Sequence, residues 1–358
     1  MALAIQRATG LVSSSIGQVA FNPLVSAALL WALTKGPVGL RNRLVANIGI
    51  LRDPKRLAQI VKALKVCLAL GVTSIVNRQL NDVALNAGRW TSEKKRWKWE
   101  EEVAVVTGGS SGIGELIVKG LVGNGVKVAV LDVNDLPASL QGYAHIKFFK
   151  CDITDPSAVY TTAETIKSSL GNPTILINNA GVLQTHTVLN TPDAYLRKIF
   201  DVNVLSNWYT SKAFLPSMIS ANKGHIVTIA STASYLGVAG LADYTASKAA
   251  ILSFHETLRQ ELKVNYSAPN VLTTSVHPGW VRTPLIDPVV EELKRGGAKV
   301  LEPQDVADAV VRQVWSCRSG QVFLPKGAER VSALRGWPNW MQQKAQDGVA
   351  ATIRGSVG

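Results

Sequence analysis

Between about residues 102 and 330, short apolar runs rich in Val and Ile alternate with segments of helical periodicity. Strands that alternate with helices predict a parallel sheet covered by helices on both faces, which is a doubly wound α/β fold. The runs that we predict as strands are Val103–Thr107, Val126–Leu131, Lys147–Lys150, Thr174–Ile177, His225–Ile229, Val271–Val276 and Gln321–Leu324.

Residues 1–98 follow a different pattern and are predicted as a helical extension. From Ala8 to Thr34 no residue is charged, but Asn22 and Pro23 interrupt the stretch, so it is a poor unbroken membrane span that could still dip into a bilayer. The stretch Leu57–Val76 repeats its Leu, Ile and Val residues at helical spacing and is typical of an amphipathic helix.

Charge distinguishes this extension from the rest of the chain. The net charge is +13, and residues 1–99 hold 15 Lys and Arg against 3 Asp and Glu, whereas the remainder is nearly balanced. Basic residues between two apolar stretches favour attachment to an anionic membrane surface. The alternatives are an extension that packs on the α/β domain and a secretory signal peptide. Nucleic acid is not an expected partner, because the chain has no basic groove interleaved with aromatic residues.

The three cysteines form no CxxC pair, and the five histidines form no ligand-spaced cluster with them, so no metal site is predicted. Free cysteines fit a cytosol-facing location. The junction 90–102 combines charges, typical of an exposed connector, with Trp97 and Trp99, which indicate that the connector docks on the protein. The tail, 331–358, is predicted to be short and amphipathic, and the sequence assigns it no function.

A glycine-rich turn follows the first predicted strand and leads into a helix. Glycines there let the chain turn tightly and let a pyrophosphate reach the free N–H groups of the helix N-terminus. Asp132 ends the second strand, where a carboxylate accepts hydrogen bonds from the adenosine ribose and repels a 2′-phosphate. No Lys or Arg lies among residues 109–111 to offset that repulsion, so NAD is favoured and NADP is the alternative. The turn residues expected to hold the nucleotide are Gly108, Ser110, Ser111, Gly112, Ile113 and Gly114.

Further motifs follow the glycine turn at 107–114 in order: Cys151-Asp152-Ile153, Asn178-Asn179-Ala180-Gly181, Asn203, Ser231, Tyr244-x-x-x-Lys248 and His277-Pro278-Gly279. Taken together, these features resemble the short-chain dehydrogenase/reductase family. The resemblance covers about residues 99–330 and implies a Rossmann-type domain that uses NAD or NADP to interconvert a hydroxyl and a carbonyl. The resemblance is strongest with the branch that is associated with membranes and lipid droplets and acts on retinoids and steroids. Enzymes of fungal polyketide and terpenoid pathways contain similar short sequence motifs.

By position, the resemblance assigns Asp152 and Ile153 to the adenine ring, and Asn179, Ala180 and Gly181 to the nicotinamide side. Lys212 is placed where some members have a cation facing the cofactor, and a solvated helix face is its alternative. The segment expected to hold the carboxamide includes Pro278, Gly279, Val281 and Thr283.

The resemblance also assigns the chemistry to four residues. Tyr244 and Lys248 lie one helical turn apart, so the ammonium can lower the pKa of the phenol and make it a general base or acid. Lys248, together with Tyr244, is also expected to contact the nicotinamide ribose. Ser231 is expected to bind the substrate oxygen. Asn203 is expected to hold a water that links Lys248 to solvent, or else to cap a helix irregularity.

A substrate pocket is expected at the carboxyl ends of the strands, under a lid at about 283–300. Its predicted apolar lining favours a hydrophobic alcohol or ketone. A non-catalytic nucleotide-binding or surface-coat protein is the alternative function. The other expectations are a membrane-associated location facing the cytosol, at the endoplasmic reticulum or a lipid droplet, and a possible homodimer. The residues predicted to line the pocket are Trp280, Leu285, Ile286, Val289 and Val290.

Overall fold

The computed structural model describes residues 21–350, except for the side chain of Pro288. The chain divides between Ala84 and Leu85 into two compact units. We call them the N-terminal unit and the catalytic unit. Residues 8–20, the first part of the uncharged stretch, lie outside the described residues.

The N-terminal unit is helical, as its pattern predicted. Helix α1, Pro23–Thr34, begins where the Asn22 side chain accepts a hydrogen bond from the Leu24 N–H and Pro23 occupies the first turn. Helix α2, Val38–Asn47, follows after a bend of 101°. Helix α3, Pro54–Leu85, extends the predicted amphipathic stretch at both ends. Among the described residues, α3 alone is by itself long and apolar enough to cross a membrane, and the bent pair α1 and α2 together also qualifies.

The catalytic unit contains a seven-stranded parallel sheet, which confirms the predicted doubly wound fold. The strand order is β3-β2-β1-β4-β5-β6-β7, so the connections reverse direction between β1 and β4. A ligand-binding crevice is expected at that reversal, beyond the carboxyl ends of the strands. The strands are β1 Val103–Thr107, β2 Lys127–Asp132, β3 Ile146–Lys150, β4 Ile175–Asn178, β5 Gly224–Ile229, β6 Val271–Pro278 and β7 Gly320–Leu324.

Helices cover both faces of this sheet. Alternate residues of each strand point to opposite faces, and apolar side chains on both faces are buried against helices. Ala104 and Val106 of β1 pack into a core with the helices at 112–122 and 303–316. Val105 points the other way, into a core with the helices at 156–170, 206–221 and 242–264. The helices of the unit are α4 Gly112–Val122, α5 Pro156–Leu170, α6 Asp193–Phe200, α7 Ser206–Ala221, α8 Ala242–Val264, α9 Val290–Arg295, α10 Pro303–Ser316 and α11 Asn339–Ala350.

The charged junction before β1 belongs to the catalytic unit, and its tryptophans are docked. Trp97 is buried in the first of these cores, under the ammonium of Lys223 at 5.1 Å. Trp99 packs edge-on against Trp315 of α10, with 3.8 Å between ring centroids. The docked aromatic rings therefore hold the entry to β1 in place.

Candidate active site

The loop between β1 and α4 is shaped for close approach of a ligand to its backbone. Gly108 and Gly112 have φ angles of +63° and +55°, which side-chain-bearing residues rarely adopt. A Cβ at Gly114 would lie 2.0 Å from the carbonyl oxygen of Gly108, so the first turn of α4 can pass this close only as glycine. Asn179 secures the loop, because its Nδ2 donates to the carbonyls of Thr107 and Gly108 at 3.1 and 3.0 Å.

Asp132 lies at the end of β2, and its carboxylate orients the same loop. One carboxylate oxygen accepts the Ser110 N–H at 3.0 Å, and the other accepts the Asn134 N–H at 2.9 Å. Each oxygen keeps a lone pair for a ribose hydroxyl. Ser110 itself is buried beneath the loop, where its hydroxyl donates to the Asn134 carbonyl.

A groove of about 680 Å³ runs along the carboxyl edge of β1, β2 and β4. Arg197 and Lys198 of α6 contribute cations to it. We call it the nucleotide groove. Its residues include most of those predicted to contact the cofactor: Gly108, Ser111, Gly112, Ile113, Asp132, Asp152, Ile153, Asn179, Ala180, Gly181 and Thr283.

A second cavity, of about 340 Å³, adjoins the nucleotide groove and has mainly apolar walls. We call it the substrate cavity. Ser231, Tyr244 and Lys248 supply polar groups to it. The predicted residues Pro278, Gly279 and Val281 line this cavity rather than the groove, and the residues that line both are Ile113, Asn179, Gly181, Thr283 and Leu285.

Tyr244 and Lys248 are brought together by one turn of α8, with the ammonium 5.6 Å from the centroid of the phenol ring. Lys248 is held by the carbonyl of Ile229, to which its Nζ donates at 2.9 Å. Burial raises the pKa of Tyr244 to about 12, although a hydrogen bond with Ser231 acts in the opposite direction. Burial lowers the pKa of Lys248 to about 8.

The raised pKa of Tyr244 is opposite to the direction predicted from sequence. The prediction counted the attraction of the ammonium and of a positively charged oxidised nicotinamide for a phenolate, and it did not count the desolvation of both side chains. Desolvation disfavours each charged form, and it is the larger effect for both side chains.

Ser231 follows β5 and is oriented by the end of β6. Its Oγ accepts the Ala233 N–H at 3.1 Å and donates to the Pro278 carbonyl at 3.3 Å. The buried ring of His277 donates from Nδ1 to the Ser231 carbonyl at 3.2 Å, while its Nε2 accepts from Ser275 Oγ at 2.9 Å. His277 thus fixes the backbone that carries the serine.

Asn203 lies in a π-helical turn, Asp201–Leu205, between α6 and α7. π-Helical turns are rare in proteins, and those that occur are often found at functional sites. Its side chain is buried, accepts the Val182 N–H at 2.8 Å, and donates to the Val182 carbonyl and to Ser247 Oγ. Asn203 therefore braces the chain that continues from β4 past Gly181.

Within residues 21–350, no group of three or more His, Cys, Asp or Glu side chains could hold a metal ion. The glycine loop and the Asp132 carboxylate lie at a groove that adjoins a mainly apolar cavity, an arrangement suited to a dinucleotide and a second, apolar ligand. The model of the short chain dehydrogenase family matches residues 102–294. The chain belongs to the short-chain dehydrogenase family. It is an oxidoreductase that acts on CH–OH groups with a nicotinamide cofactor.

Several named dehydrogenases are similar to more than half of this chain. Dehydrogenase RED2 of Cochliobolus heterostrophus is 36% identical over 258 residues, covering 72% of this chain and 90% of the relative. Estradiol 17-beta-dehydrogenase 11 of Homo sapiens is 32% identical over 247 residues, covering 67% and 80%. Epidermal retinol dehydrogenase 2 of Homo sapiens is 33% identical over 232 residues, covering 63% and 74%. These similarities support the branch that the sequence motifs indicated.

A solved structure shares the fold. The ligand-free aldohexose dehydrogenase of Thermoplasma acidophilum superimposes with a TM-score of 0.54 and 26% identity, covering 62% of this chain and 92% of that one.

Lys212 is not in the nucleotide groove of this short-chain dehydrogenase. It is exposed on α7 and lines a separate groove with Trp208 and Phe254. The reason is helical geometry, since the inward face of α7 presents Phe214 and Met218 to the core and leaves Lys212 on the outside. Its placement fits the alternative, a solvated helix face.

The apolar lining of the substrate cavity was predicted only in part. Trp280, Leu285 and Ile286 line it, but Val289 and Val290 belong to the apolar cluster beside it. Sequence reasoning missed the contributions of the loops at 183 and 236–241 and of the C-terminal segment 325–349. The C-terminal segment carried no signal beyond isolated apolar residues.

Proposed function

We propose that this enzyme interconverts a hydroxyl and a carbonyl on a lipophilic molecule of retinoid, steroid, fatty, polyketide or terpenoid type, with Tyr244 as the acid and base. The observation that carries the proposal is an apolar cavity in which Ser231, Tyr244 and Lys248 are the groups suited to the chemistry, directly beside a nucleotide groove. Estradiol and retinol, after which two of the similar dehydrogenases are named, are hydrophobic alcohols of this class.

The chain fits NAD better than NADP. The nicotinamide, when bound, supplies the hydride acceptor or donor. The loop at 108–114 would hold the pyrophosphate, and the Asp132 carboxylate would bind the ribose hydroxyls and repel a 2′-phosphate. Arg197 and Lys198 add positive charge to the groove, but they belong to α6 and not to the end of β2, where the adenosine ribose is recognised.

In this proposal Tyr244 takes the proton from the substrate hydroxyl during oxidation and returns it during reduction. Lys248 favours the phenolate, as does the positive charge of the oxidised nicotinamide, and both oppose the rise that burial causes in the pKa of Tyr244. Ser231 turns its one hydroxyl proton from the Pro278 carbonyl to the substrate oxygen as negative charge develops there. Asn203, which bonds the backbone of Val182 and the hydroxyl of Ser247 next to Lys248, would hold a water that links Lys248 to solvent.

The experiment that tests the function is an oxidation assay with the full chain, using retinol, estradiol and an aldohexose as substrates. Absorbance of the reduced nucleotide should rise with the two lipophilic alcohols and not with the sugar, and NAD should give the higher kcat/KM. Turnover of the sugar alone would refute the lipophilic substrate, and a preference for NADP would refute the role of Asp132.

We also propose that the N-terminal unit attaches the enzyme to an anionic, cytosol-facing surface of the endoplasmic reticulum or a lipid droplet. Large apolar side chains of α3, including Val66, Leu70 and Leu80, are about half exposed, and Leu24 and Trp31 of α1 are exposed as well. Burial of such side chains in the acyl boundary, with neighbouring Lys and Arg at the headgroups, stabilises interfacial attachment.

Flotation with vesicles that contain phosphatidylserine tests this attachment. The full chain is expected to float with the vesicles, and a truncated chain that begins at Leu85 is expected to stay in the soluble fraction. Leu70→Lys should weaken flotation, whereas Val264→Lys, a matched change on the exposed end of α8, should not. Equal partitioning of the full and truncated chains would exclude the N-terminal unit as the anchor.

A homodimer is proposed through the outer face of α7 and α8. Trp208, Phe254 and Tyr266 line a groove there that also holds Lys212 and Glu261. A surface that carries a positive and a negative side chain can pair with the same surface of a second copy of the chain about a two-fold axis. Light scattering should give twice the chain mass of 38.4 kDa, and Trp208→Glu should return it to the single-chain value. A parent chain that already has the single-chain mass would contradict the pairing.

A further inference from the structure

The chain that follows β7 returns to the active site. Residues 325–350, which we call the C-terminal arm, form a 3-10 helix, Ala328–Gly336, and then α11. The arm lies within the catalytic unit and follows residues 102–294, which the family model matches. Its contribution to the site therefore lies outside the part of the chain that the family model matches.

The arm is fastened to the loop that carries Ser231. The guanidinium of Arg335 donates from Nε to the Tyr235 carbonyl at 3.2 Å and from Nη2 to the Ser234 carbonyl at 3.3 Å. Leu334 beside it is buried. Gln342 of α11 donates to the carbonyls of Arg335 and Trp337, at 3.3 and 2.6 Å, so the two helices of the arm are tied to each other. The arm is thus fixed relative to the catalytic serine.

The arm contributes apolar side chains to the substrate cavity. Ala328 and Val331 line it from the 3-10 helix, and Val349 lines it from α11. Val349 also packs against the apolar cluster that contains Leu293. The reacting groups come from other elements, Ser231 from the end of β5 and Tyr244 and Lys248 from α8. The arm therefore faces the part of a substrate that does not react.

We propose that the C-terminal arm is the specificity-determining wall of the substrate cavity, with Val331 and Val349 limiting the length of the apolar portion of the substrate. This inference rests on the proposed function and deepens it. The small side chains at these positions leave space for an extended apolar group, and Arg335 holds the wall at a set distance from the reacting hydroxyl. Contacts with a remote apolar group can change discrimination between substrates by about 10- to 200-fold.

The test compares 2-hexanol with 2-dodecanol on the full chain and on Val349→Trp. The indole ring of the introduced tryptophan is expected to raise KM for 2-dodecanol at least about tenfold and to leave kcat and KM for 2-hexanol unchanged. Gln343→Trp, on the exposed face of the same helix, is the matched control and should behave as the parent. Val331→Trp is the second variant, in case Val349→Trp unfolds at a lower temperature than the parent.

Calorimetry measures the dissociation constants of both alcohols with NADH present, so that no oxidation occurs. These constants test the role of the C-terminal arm in substrate binding independently of the proposed catalytic activity. Weaker binding of 2-dodecanol to the variants without any turnover by the parent would uphold the wall and overturn the proposed function. Turnover by the parent with identical length profiles in parent, variants and control would overturn the wall and uphold the function. Absence of both binding and turnover would overturn both.

Discussion

Replacement of Tyr244 by Phe is expected to lower turnover by about 100- to 10,000-fold, the usual contribution of a positioned general acid or base. The phenol lines the substrate cavity beside Ser231 and Lys248, and Phe keeps the ring while removing the one oxygen that can exchange a proton with the substrate. Cofactor affinity should change by less than about tenfold, because at most one hydrogen bond to the nucleotide is lost. Steady-state rates and nucleotide fluorescence titrations measure the two quantities.

Tyr143→Phe is the matched control, since Tyr143 is half exposed on the surface and lines neither the nucleotide groove nor the substrate cavity. Its activity should equal that of the parent. Turnover by the Tyr244 variant at more than about a tenth of the parent rate would remove Tyr244 from the role of acid and base.

Mild acid is expected to destabilise the catalytic unit because three histidines are buried in it. Burial lowers the pKa of His225 to about 3, of His255 to about 3 and of His277 to about 4. An unfolded histidine titrates near pH 6.5, so below that pH the unfolded chain binds protons that the folded chain excludes. The free energy of unfolding therefore falls as the pH decreases from about 6.5 towards about 4, and the penalty is absent above about pH 7.

The expected size is about 2 kcal/mol per buried histidine at about pH 5, which is the linkage for a group held neutral 1.5 pH units below its unfolded pKa. Urea unfolding of the full chain at about pH 7 and pH 5 measures it. His255→Gln, which can keep a hydrogen bond to Thr228 Oγ1, should reduce the pH dependence by about a third. His145→Gln, at the exposed end of the loop before β3, should not reduce it. Equal stability of the parent at both pH values would show that these histidines are protonated without cost.

The local elements of this protein were predictable from sequence because their signals are local. Each predicted strand differs from the observed one by at most two residues at either end, since a buried strand is a short apolar run whichever strands lie beside it. The glycine loop was predictable for a similar reason. Its positive φ angles and its close contact with α4 require glycine at fixed spacing, and that spacing is visible in the chain.

Other features depended on which distant segments meet in three dimensions. The outward direction of Lys212, the position of Val289 and Val290 beside the cavity, and the return of the C-terminal arm to Ser231 are set by packing between segments far apart in sequence. The pKa of Tyr244 belongs with them, because the helical spacing to Lys248 shows the attraction, whereas only the folded environment shows the burial that outweighs it. Sequence by itself thus determined the doubly wound fold and the residue types available for chemistry. Tertiary structure decided which of them face one cavity, because apolar burial and desolvation depend on all the neighbours of a side chain and not on its spacing along the chain.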